Sequence, residues 1–371
     1  MLLRVRGFSR ERFGRWAAGT IALLVLTLVA VPACRSVRGA ADEFSSPGEP
    51  PQEIEPDDVA RGVIDGVRVM RAVEFLASDG LRGRATPSPG LERAAAWVGA
   101  ELQRAGLRPA GEDGGYVQYW PAGVDSVGSP ALAPNVGALL PGADTMRSGE
   151  FVVITAYLDH RGVTEPAEDG DSIHNGASGA AGVAVLVEVA RALAKLPTPS
   201  PRPVLFLVFS GTQDGLRGSR WYAERPTVEL GAAVAVLNLG PLAGVPGDGP
   251  RLVGPGAPAL SALFDRVVDE RGIPLMPKVV GGDAPLDHRS FEHLGVPVAS
   301  LIDPDEVTGS TADEADRVDQ VHIVHVTSLV FFAVHELASE GLGRQRAYLP
   351  GVGNATTLSW PSPSTDATPN R

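Results

Sequence analysis

Residues 151–157, FVVITAY, are followed by the helical stretch 179–196, GAAGVAVLVEVARALAKL, and then by residues 203–209, PVLFLVF. The first and third segments are short and almost wholly apolar, which indicates strands that are buried on both faces. The middle segment is rich in Ala, Val and Leu and is long enough to form a helix between them. Together they predict two parallel strands joined by a crossover helix.

The same alternation continues on both sides of this unit. Apolar residues at helical spacing predict a helix over 91–105, which ends at Gly106. Further along, the pattern predicts helices at 216–224, 260–269 and 319–338 and strands at 233–237 and 296–302. Such an order predicts an α/β fold, a three-layer sandwich with a mostly parallel central sheet. We expect the last helix to be a core helix, because it is too short and too polar to span a bilayer.

Composition limits the function classes. The chain has 371 residues, enough for one large α/β domain with tails or for two small domains, and 44% hydrophobic and 20% charged residues are typical of an ordinary globular core. The formal net charge is -12, and no basic stripe is present. A nucleic-acid partner is therefore not expected, since phosphate binding requires a basic surface.

The amino terminus predicts export. Five Arg residues between residues 4 and 15 precede an apolar stretch, Trp16 to Ala33, which ends at Val31-Pro-Ala-Cys34. This ending resembles a bacterial lipobox and predicts lipidation of Cys34 and a membrane-anchored lipoprotein of the cell envelope. The alternatives are a chance Cys near an ordinary signal and a retained membrane anchor. Cys34 is the only cysteine, so neither an intrachain disulfide nor a thiolate metal site can form.

These features predict four segments. Residues 1–34 form the lipoprotein-type signal peptide, and residues 35–56 form a disordered, proline-rich linker. Residues 57–340 form the α/β domain. Residues 341–371, rich in Pro, Ser and Thr, form a disordered tail.

Several motifs in the domain resemble the metallopeptidases of family 28, the two-zinc aminopeptidases related to glutaminyl cyclase. The segments that carry the resemblance are Leu76-Ala-Ser-Asp-Gly-Leu-Arg-Gly-Arg84, Asn135-Val-Gly-Ala-Leu-Leu-Pro-Gly142, Phe209-Ser-Gly211, Gly215-Leu-Arg-Gly-Ser-Arg-Trp-Tyr222, Asp287-His-Arg-Ser-Phe291 and Leu294-Gly-Val-Pro297. They occur in the family's order over roughly residues 65–338. The resemblance implies a zinc-aminopeptidase-like fold for the domain.

The resemblance also implies where zinc ligands belong, and this chain lacks them. Tyr157 stands where the family has the His of an Ala-His-x-Asp turn. Ser178, or Ala177, stands at the position of the bridging Asp, in a stretch one residue shorter than the family's. Thr212 and Gln213 replace a Glu-Glu pair that supplies the general base and a ligand.

The remaining two ligand positions are glycines. Gly240 replaces the Asp of Asn-Leu-Asp, and Gly309 falls at the position of the last His. Neutral side chains and glycine cannot supply the charge that offsets desolvation of a divalent cation. We therefore expect no metal, no cofactor and no catalysis by the family mechanism, with zinc expected only if this assignment of positions is wrong.

Three polar residues near the same site are retained. Asp159 keeps the position of an Asp that orients a His ligand in the family, and a structural role is expected for it here. Asp287 and His288 keep the family's Asp-His pair near the substrate pocket. They are candidates to bind an amine or amide of a ligand, or to form a packed turn.

Two other kinds of chemistry are worth weighing. His160, His174, Asp169 and Asp171 lie close in sequence and could form a replacement metal site, or a solvated acidic loop. Gly176-Ala-Ser-Gly-Ala180 nearly matches the nucleophile motif of serine hydrolases, with Asp159 and His160 nearby. That motif requires a strand directly before it, so a helix N-cap is the expected role of Ser178.

Three hypotheses follow. The first is an inactive peptidase-like protein that binds peptides or partner proteins. The second is an active metallo-aminopeptidase or hydrolase with a relocated metal site drawn from His160, His174, Asp159 and Asp287. The third is a structural envelope lipoprotein whose domain is a rigid spacer.

Overall fold

The centre of the fold is a parallel sheet formed by the apolar strands. β4 (Val152–Tyr157) lies between β7 (Val204–Phe209) and β8 (Ala235–Leu239), and both pairings are parallel. β11 (Val298–Ile302) extends the sheet in parallel to β8. Because these strands are buried on both faces, they are continuous apolar runs in the sequence.

The two ends of the sheet are antiparallel. On one side β3 (Pro130–Leu140) pairs with β7, while β1 (Arg108–Pro109) and β2 (Val117–Val124) both pair with β3. On the other side β9 (Arg251–Val253) runs antiparallel to β11, and β10 (Lys278–Val280) runs parallel to β9. Within the described part of the chain the main sheet has nine strands. Its parallel character is therefore confined to the centre and the β9–β10 edge.

The computed structural model describes residues 55–124, 128–166, 170–244, 250–273, 278–280, 286–303 and 308–342. The helices are α1 (Pro56–Val63), α2 (Gly66–Leu76), α3 (Pro89–Arg104), α4 (Ala177–Leu193), α5 (Arg217–Glu224), α6 (Ala257–Arg271) and α7 (Gln320–Ser339). A short ribbon pairs β5 (Gly162–Val163) with β6 (Ile173–His174). Cys34 and the predicted signal peptide lie outside the described residues, as do the predicted linker and tail apart from residues 55, 56, 341 and 342.

Helices cover the sheet unequally. The larger core contains residues from six helices, α1 to α4, α6 and α7, packed on one face. The other face is covered by α5 and the 3₁₀ segment Asp287–Leu294. There the ring of Phe209 lies 5.8 Å from that of Tyr222 and 5.7 Å from that of Phe291. The predicted three-layer α/β fold is confirmed.

A buried ion-pair network joins α2 to α4. Glu188 in α4 accepts hydrogen bonds from Arg68 at 2.7 and 2.9 Å and from Arg191 at 3.0 Å. It also accepts a hydrogen bond from the backbone amide of Asp65 at 2.9 Å. Arg191 in turn donates to Glu101 of α3 at 2.7 Å. The one charged residue in the apolar middle of α4 is thus fully partnered.

The strand predictions missed β2 and β3 and displaced β8 by two residues. The sequence predicts a strand over 233–237, whereas β8 spans Ala235–Leu239. The polar residue Asn238 belongs to the strand, because Thr155 donates to its oxygen and its amide donates to Ser300, both at 2.8 Å. Buried polar residues are compatible with a central strand when neighbouring strands supply their partners.

α7 is long and apolar enough to cross a membrane by length and composition. Its apolar side chains are nevertheless buried in the core, from Ile323 to Ala338. It packs against α2, α4 and α6. This placement agrees with its prediction as a core helix.

Candidate functional site

The predicted site residues meet at the carboxyl ends of the central strands. Tyr157 ends β4, Gly240 directly follows β8, and Thr212 follows β7 after a short turn. α4 begins beside them, with Ser178 as its second residue. Ligands of open α/β sheets bind at this edge, because loops from several strands converge there.

Tyr157 is buried against the first turn of α4. A Cβ placed on Gly179 would lie 2.7 Å from the Tyr157 hydroxyl oxygen, so the tyrosine ring is packed on this glycine. Burial, with smaller effects of Asp313 and Asp159, raises the pKa of the Tyr157 hydroxyl far above its usual range. The side chain is therefore a neutral phenol where a zinc ligand was expected. None of the described residues forms a hydrogen bond with its hydroxyl.

Ser178 is held by Asp313. Its hydroxyl donates to one oxygen of the Asp313 carboxylate at 2.7 Å, and its amide donates to the other at 2.8 Å. The prediction that Ser178 is the N-cap is wrong, because the N-cap of α4 is Gly176, at φ 61°. Asp313, in a loop far along the chain, accepts a hydrogen bond from a backbone N–H of the first turn of α4, so no side chain next to the helix is needed as a cap. A serine hydrolase arrangement is not formed, since the Ser178 hydroxyl contacts Asp313 and Thr308 rather than His160.

Thr212 and Gln213 are bound through their backbones to Asp159. The amide of Thr212 donates to one Asp159 oxygen at 3.0 Å, and the amide of Gln213 donates to the other at 3.2 Å. The Thr212 hydroxyl donates to Asp287 at 2.8 Å, whereas the Gln213 side chain is exposed. Asp159 thus fixes the loop that carries the general base in the resembled family.

The two glycine positions are covered by other side chains. A Cβ on Gly240 would lie 2.5 Å from Cγ2 of Ile302, so this methyl group lies where an Asp side chain would begin. Gly309 has φ 88°, and a Cβ there would lie 3.3 Å from the Arg161 guanidinium. Neither position could regain a ligand side chain without rearrangement of its neighbour.

Asp159 and Asp287 are buried carboxyl groups with shifted acidity. Burial raises the pKa of Asp287 to about 7, against the opposing effect of hydrogen bonds from Ser219 and Thr212. Burial likewise raises the pKa of Asp159 to about 6, against hydrogen bonds from the Thr212 and Gln213 amides. Oδ1 of Asp287 has no hydrogen-bond partner that meets normal geometry among the described residues. Asp287 is therefore the incompletely satisfied carboxyl group of the site.

His288 has different partners from its neighbour Asp287. Its Nδ1 accepts from the Ser300 hydroxyl at 2.7 Å, and Ser300 accepts from Asn238. This hydrogen-bonded chain runs across β8 and β11 and ends at Thr155 in β4. Asp287 and His288 therefore form no joined pair, and His288 belongs to a buried polar network of the sheet.

The candidate residues for a relocated metal site are largely engaged with the protein itself. The rings of His160 and His174 lie 6.4 Å apart, and Nδ1 of His160 donates to the carbonyl of His174 at 3.1 Å. Nδ1 of His174 donates to the carbonyl of Gly309 at 3.1 Å, and its Nε2 lies 2.9 Å from the Thr164 hydroxyl. Asp171 accepts hydrogen bonds from two backbone amides of its own turn. Asp169 lies outside the described residues.

Sequence reasoning missed two residues that organise the site. Arg84 is fully buried and donates to the carbonyls of Leu158, Asn175 and Gly176 at 2.7, 2.8 and 3.1 Å. Burial lowers its pKa to about 10, so it remains a cation. Asp313 was missed because its role is to cap a helix more than a hundred residues away, and no local pattern indicates such a contact.

The residues present do not fit a two-zinc centre. Such a centre needs anionic or imidazole ligands around two cations. Here the ligand positions hold a neutral phenol, a hydroxyl bonded to Asp313, an exposed amide and two covered glycines. Among the described residues, no group of three or more His, Cys, Asp or Glu side chains is arranged to hold a metal ion.

The sequence nevertheless matches a known family. A family model described as peptidase family M28 matches residues 135–334, just over half of the chain. A search of curated proteins finds no match.

Solved structures share the fold at low sequence identity. An aminopeptidase from Aneurinibacillus sp. strain AM-1 superposes with a TM-score of 0.60 at 14% identity, over 76% of this chain and 96% of that chain. A glutaminyl cyclase of Bacteroides thetaiotaomicron, bound to N-acetylhistamine, gives 0.60 at 16% identity, over 73% and 98%. A zinc aminopeptidase from Bacillus subtilis gives 0.59 at 12% identity, over 75% and 96%. The predicted zinc-aminopeptidase-like fold is confirmed.

Proposed function

This chain belongs to peptidase family M28, and we propose that it is a member that binds peptides or partner proteins without cleaving them. The observation that carries the proposal is the covering of the former ligand positions. Ile302 lies against Gly240, Arg161 against Gly309 and Tyr157 against the first turn of α4. Reversal of any one substitution would still leave the other positions without ligands.

The loop that would carry the catalytic base also supports inactivity. Thr212 has no group able to accept a proton from water near neutral pH, and its hydroxyl is already bonded to Asp287. Asp159 is bonded to two backbone amides of the same loop. Neither residue is a ready substitute for a carboxylate base.

Asp287 supports retention of binding. Its side chain is fully buried, and its Oδ1 lacks a well-formed hydrogen bond among the described residues. A buried oxygen without a partner is costly, so a group supplied by a ligand would stabilise the site. An amine or amide of a peptide has the donor chemistry that this oxygen needs.

The relocated metal site is the weaker alternative. His174 is engaged through both ring nitrogens, and His160 through one. The spacer hypothesis is favoured only if all peptide binding is absent.

We further propose, from the sequence alone, that the protein is exported and anchored to a membrane through lipidated Cys34.

The test combines metal content, hydrolysis and binding on the full-length protein purified in detergent. After dialysis against excess zinc, we expect no stoichiometric zinc and no hydrolysis of aminoacyl-nitroanilides. A panel of peptides should contain members that bind the protein. Their affinity should fall about tenfold in Asp287→Asn, where a buried hydrogen bond to a charged group is weakened.

The control is Asp316→Asn, an exposed carboxylate in another loop, which should leave affinity unchanged. About two zinc ions per chain together with hydrolysis would show that the ligand assignment is wrong. Absence of binding by the whole panel would reject the binding proposal and favour a structural role.

A further inference from the structure

Arg161 is an unpaired cation at one former ligand position. From a Cβ placed on Gly309, its Nη2, Cζ and Nε lie at 3.3, 3.4 and 3.6 Å. These nearly equal distances mean that the flat face of the guanidinium covers the glycine. Its N–H groups therefore point sideways, away from Gly309. The side chain is exposed and forms no hydrogen bond or ion pair with the described residues.

A short path of contacts connects Arg161 to Tyr157. Gly309, under the guanidinium, follows Thr308, whose hydroxyl lies 3.5 Å from that of Ser178. The next residue of α4 is Gly179, on which the Tyr157 ring is packed. Both side chains lie on the same edge of the sheet, but Tyr157 is buried, so of these two hydrogen-bond donors only the Arg161 guanidinium is open to a ligand.

The electrostatic field at this edge of the sheet differs between the surroundings of His160 and those of Tyr157. At His160, beside Arg161, burial and the charges of Arg84, His174 and Arg161 together lower the pKa to about 3, against the opposing effect of the hydrogen bond to the His174 carbonyl. The field there is positive. At Tyr157 the field is negative, because beyond the effect of burial Asp313, Asp159 and Asp287 each raise the pKa of its hydroxyl and Arg84 alone opposes them. Asp287, which is incompletely satisfied, lies on the Thr212 side.

We propose that Arg161 binds a carboxylate of the ligand beside Gly309, at one of the positions where the family would hold zinc. A guanidinium with its edge free is suited to bidentate hydrogen bonding with a carboxylate. The ligand class is then peptides with a free carboxyl terminus or an acidic side chain. This inference rests on the proposed binding function and names the ligand chemistry of the same site.

The test measures the binding of matched probes to the wild type and to single-residue variants. It uses isothermal titration calorimetry on the full-length protein in detergent. The probes are dipeptides, each with a free and an amidated carboxyl terminus. Loss of the carboxylate should weaken binding to the wild type about tenfold or more. In Arg161→Gln the free and amidated forms should bind equally, because the group that distinguishes them is gone.

Arg71→Gln is the matched control, since Arg71 is equally exposed on the distant helix α2. It should retain the full preference for the free carboxylate. Equal binding of both forms by the wild type, or an unchanged preference in Arg161→Gln, would overturn this inference and leave the binding function intact. Absence of binding by every probe would overturn both.

Discussion

Two buried carboxyl groups of this protein have opposite surroundings. Glu188, in the middle of α4, accepts hydrogen bonds from two arginines and a backbone amide. Asp287, at the candidate site, accepts a hydrogen bond from Thr212 through one oxygen, while its other oxygen has no well-formed partner among the described residues. Both are almost completely buried.

The difference separates a structural charge from a site residue. A buried charge that serves the fold is stable only when the protein itself supplies its partners. The three helices around Glu188 do so. Asp287 has no cationic partner, and its raised pKa reflects that cost. Under the proposed binding function, the incompletely satisfied group is the one that a ligand would partner.

The largest expected effect is a loss of stability when Glu188, the fully partnered carboxylate, is removed. Glu188→Ala should lower the free energy of unfolding by about 3 kcal/mol, because it leaves the Asp65 amide without its acceptor and removes the buried carboxylate that pairs with Arg68 and Arg191. Urea denaturation measures this. Glu74→Ala on the exposed side of α2 is the control and should change stability by less than about 0.5 kcal/mol. Similar losses in both variants would contradict the structural role of Glu188.

The next effect tests the covering of the former ligand position at Gly240. Gly240→Ala should destabilise the protein by about 1–3 kcal/mol, since its Cβ would lie 2.5 Å from the stiff, β-branched Ile302. In Ile302→Ala, the same glycine substitution should cost much less. Gly231→Ala serves as the control, because its Cβ would meet nothing within 4 Å. An equal cost of Gly240→Ala with and without Ile302 would show that this side chain does not cover the position.

The smallest effect is the pH dependence of stability. A carboxyl group with a raised folded-state pKa binds its proton more tightly in the folded state, so stability falls as pH rises from the unfolded pKa to the folded one. Asp287 contributes such a loss between the ordinary aspartate pKa of 3.8 and its raised pKa of about 7, and Asp159 between a pKa of 3.8 and about 6. Asp287→Asn should therefore be more stable than the wild type at about pH 8, by about 1–2 kcal/mol. As pH rises, the variant's free energy of unfolding should stop falling at about pH 6, where Asp159 has lost its proton.

Thermal unfolding across this range, with the wild type in parallel, measures the difference. Asp316→Asn, which removes an exposed carboxylate, should follow the wild-type curve. Identical curves for Asp287→Asn and the wild type would mean that Asp287 is solvated in the native protein.

The pattern of apolar segments was sufficient to predict the central architecture. β4, α4 and β7 begin and end within three residues of the predicted bounds, because buried strands and a buried helix impose long apolar runs. The antiparallel edges were less evident, since short edge strands such as β1 and β9 carry little periodicity. Ser178 was misassigned as a cap because the true partner, Asp313, is distant in sequence.

The sequence by itself determined the order of the family's motifs, and that order is enough to predict which residues stand at the metal positions. Only the tertiary structure decided what packs against those residues. Ile302 against Gly240 and Arg161 over Gly309 are contacts between segments far apart in the chain or in separate loops. Such contacts depend on how the strand ends converge. A local sequence pattern does not predict which residues will pack closely together there.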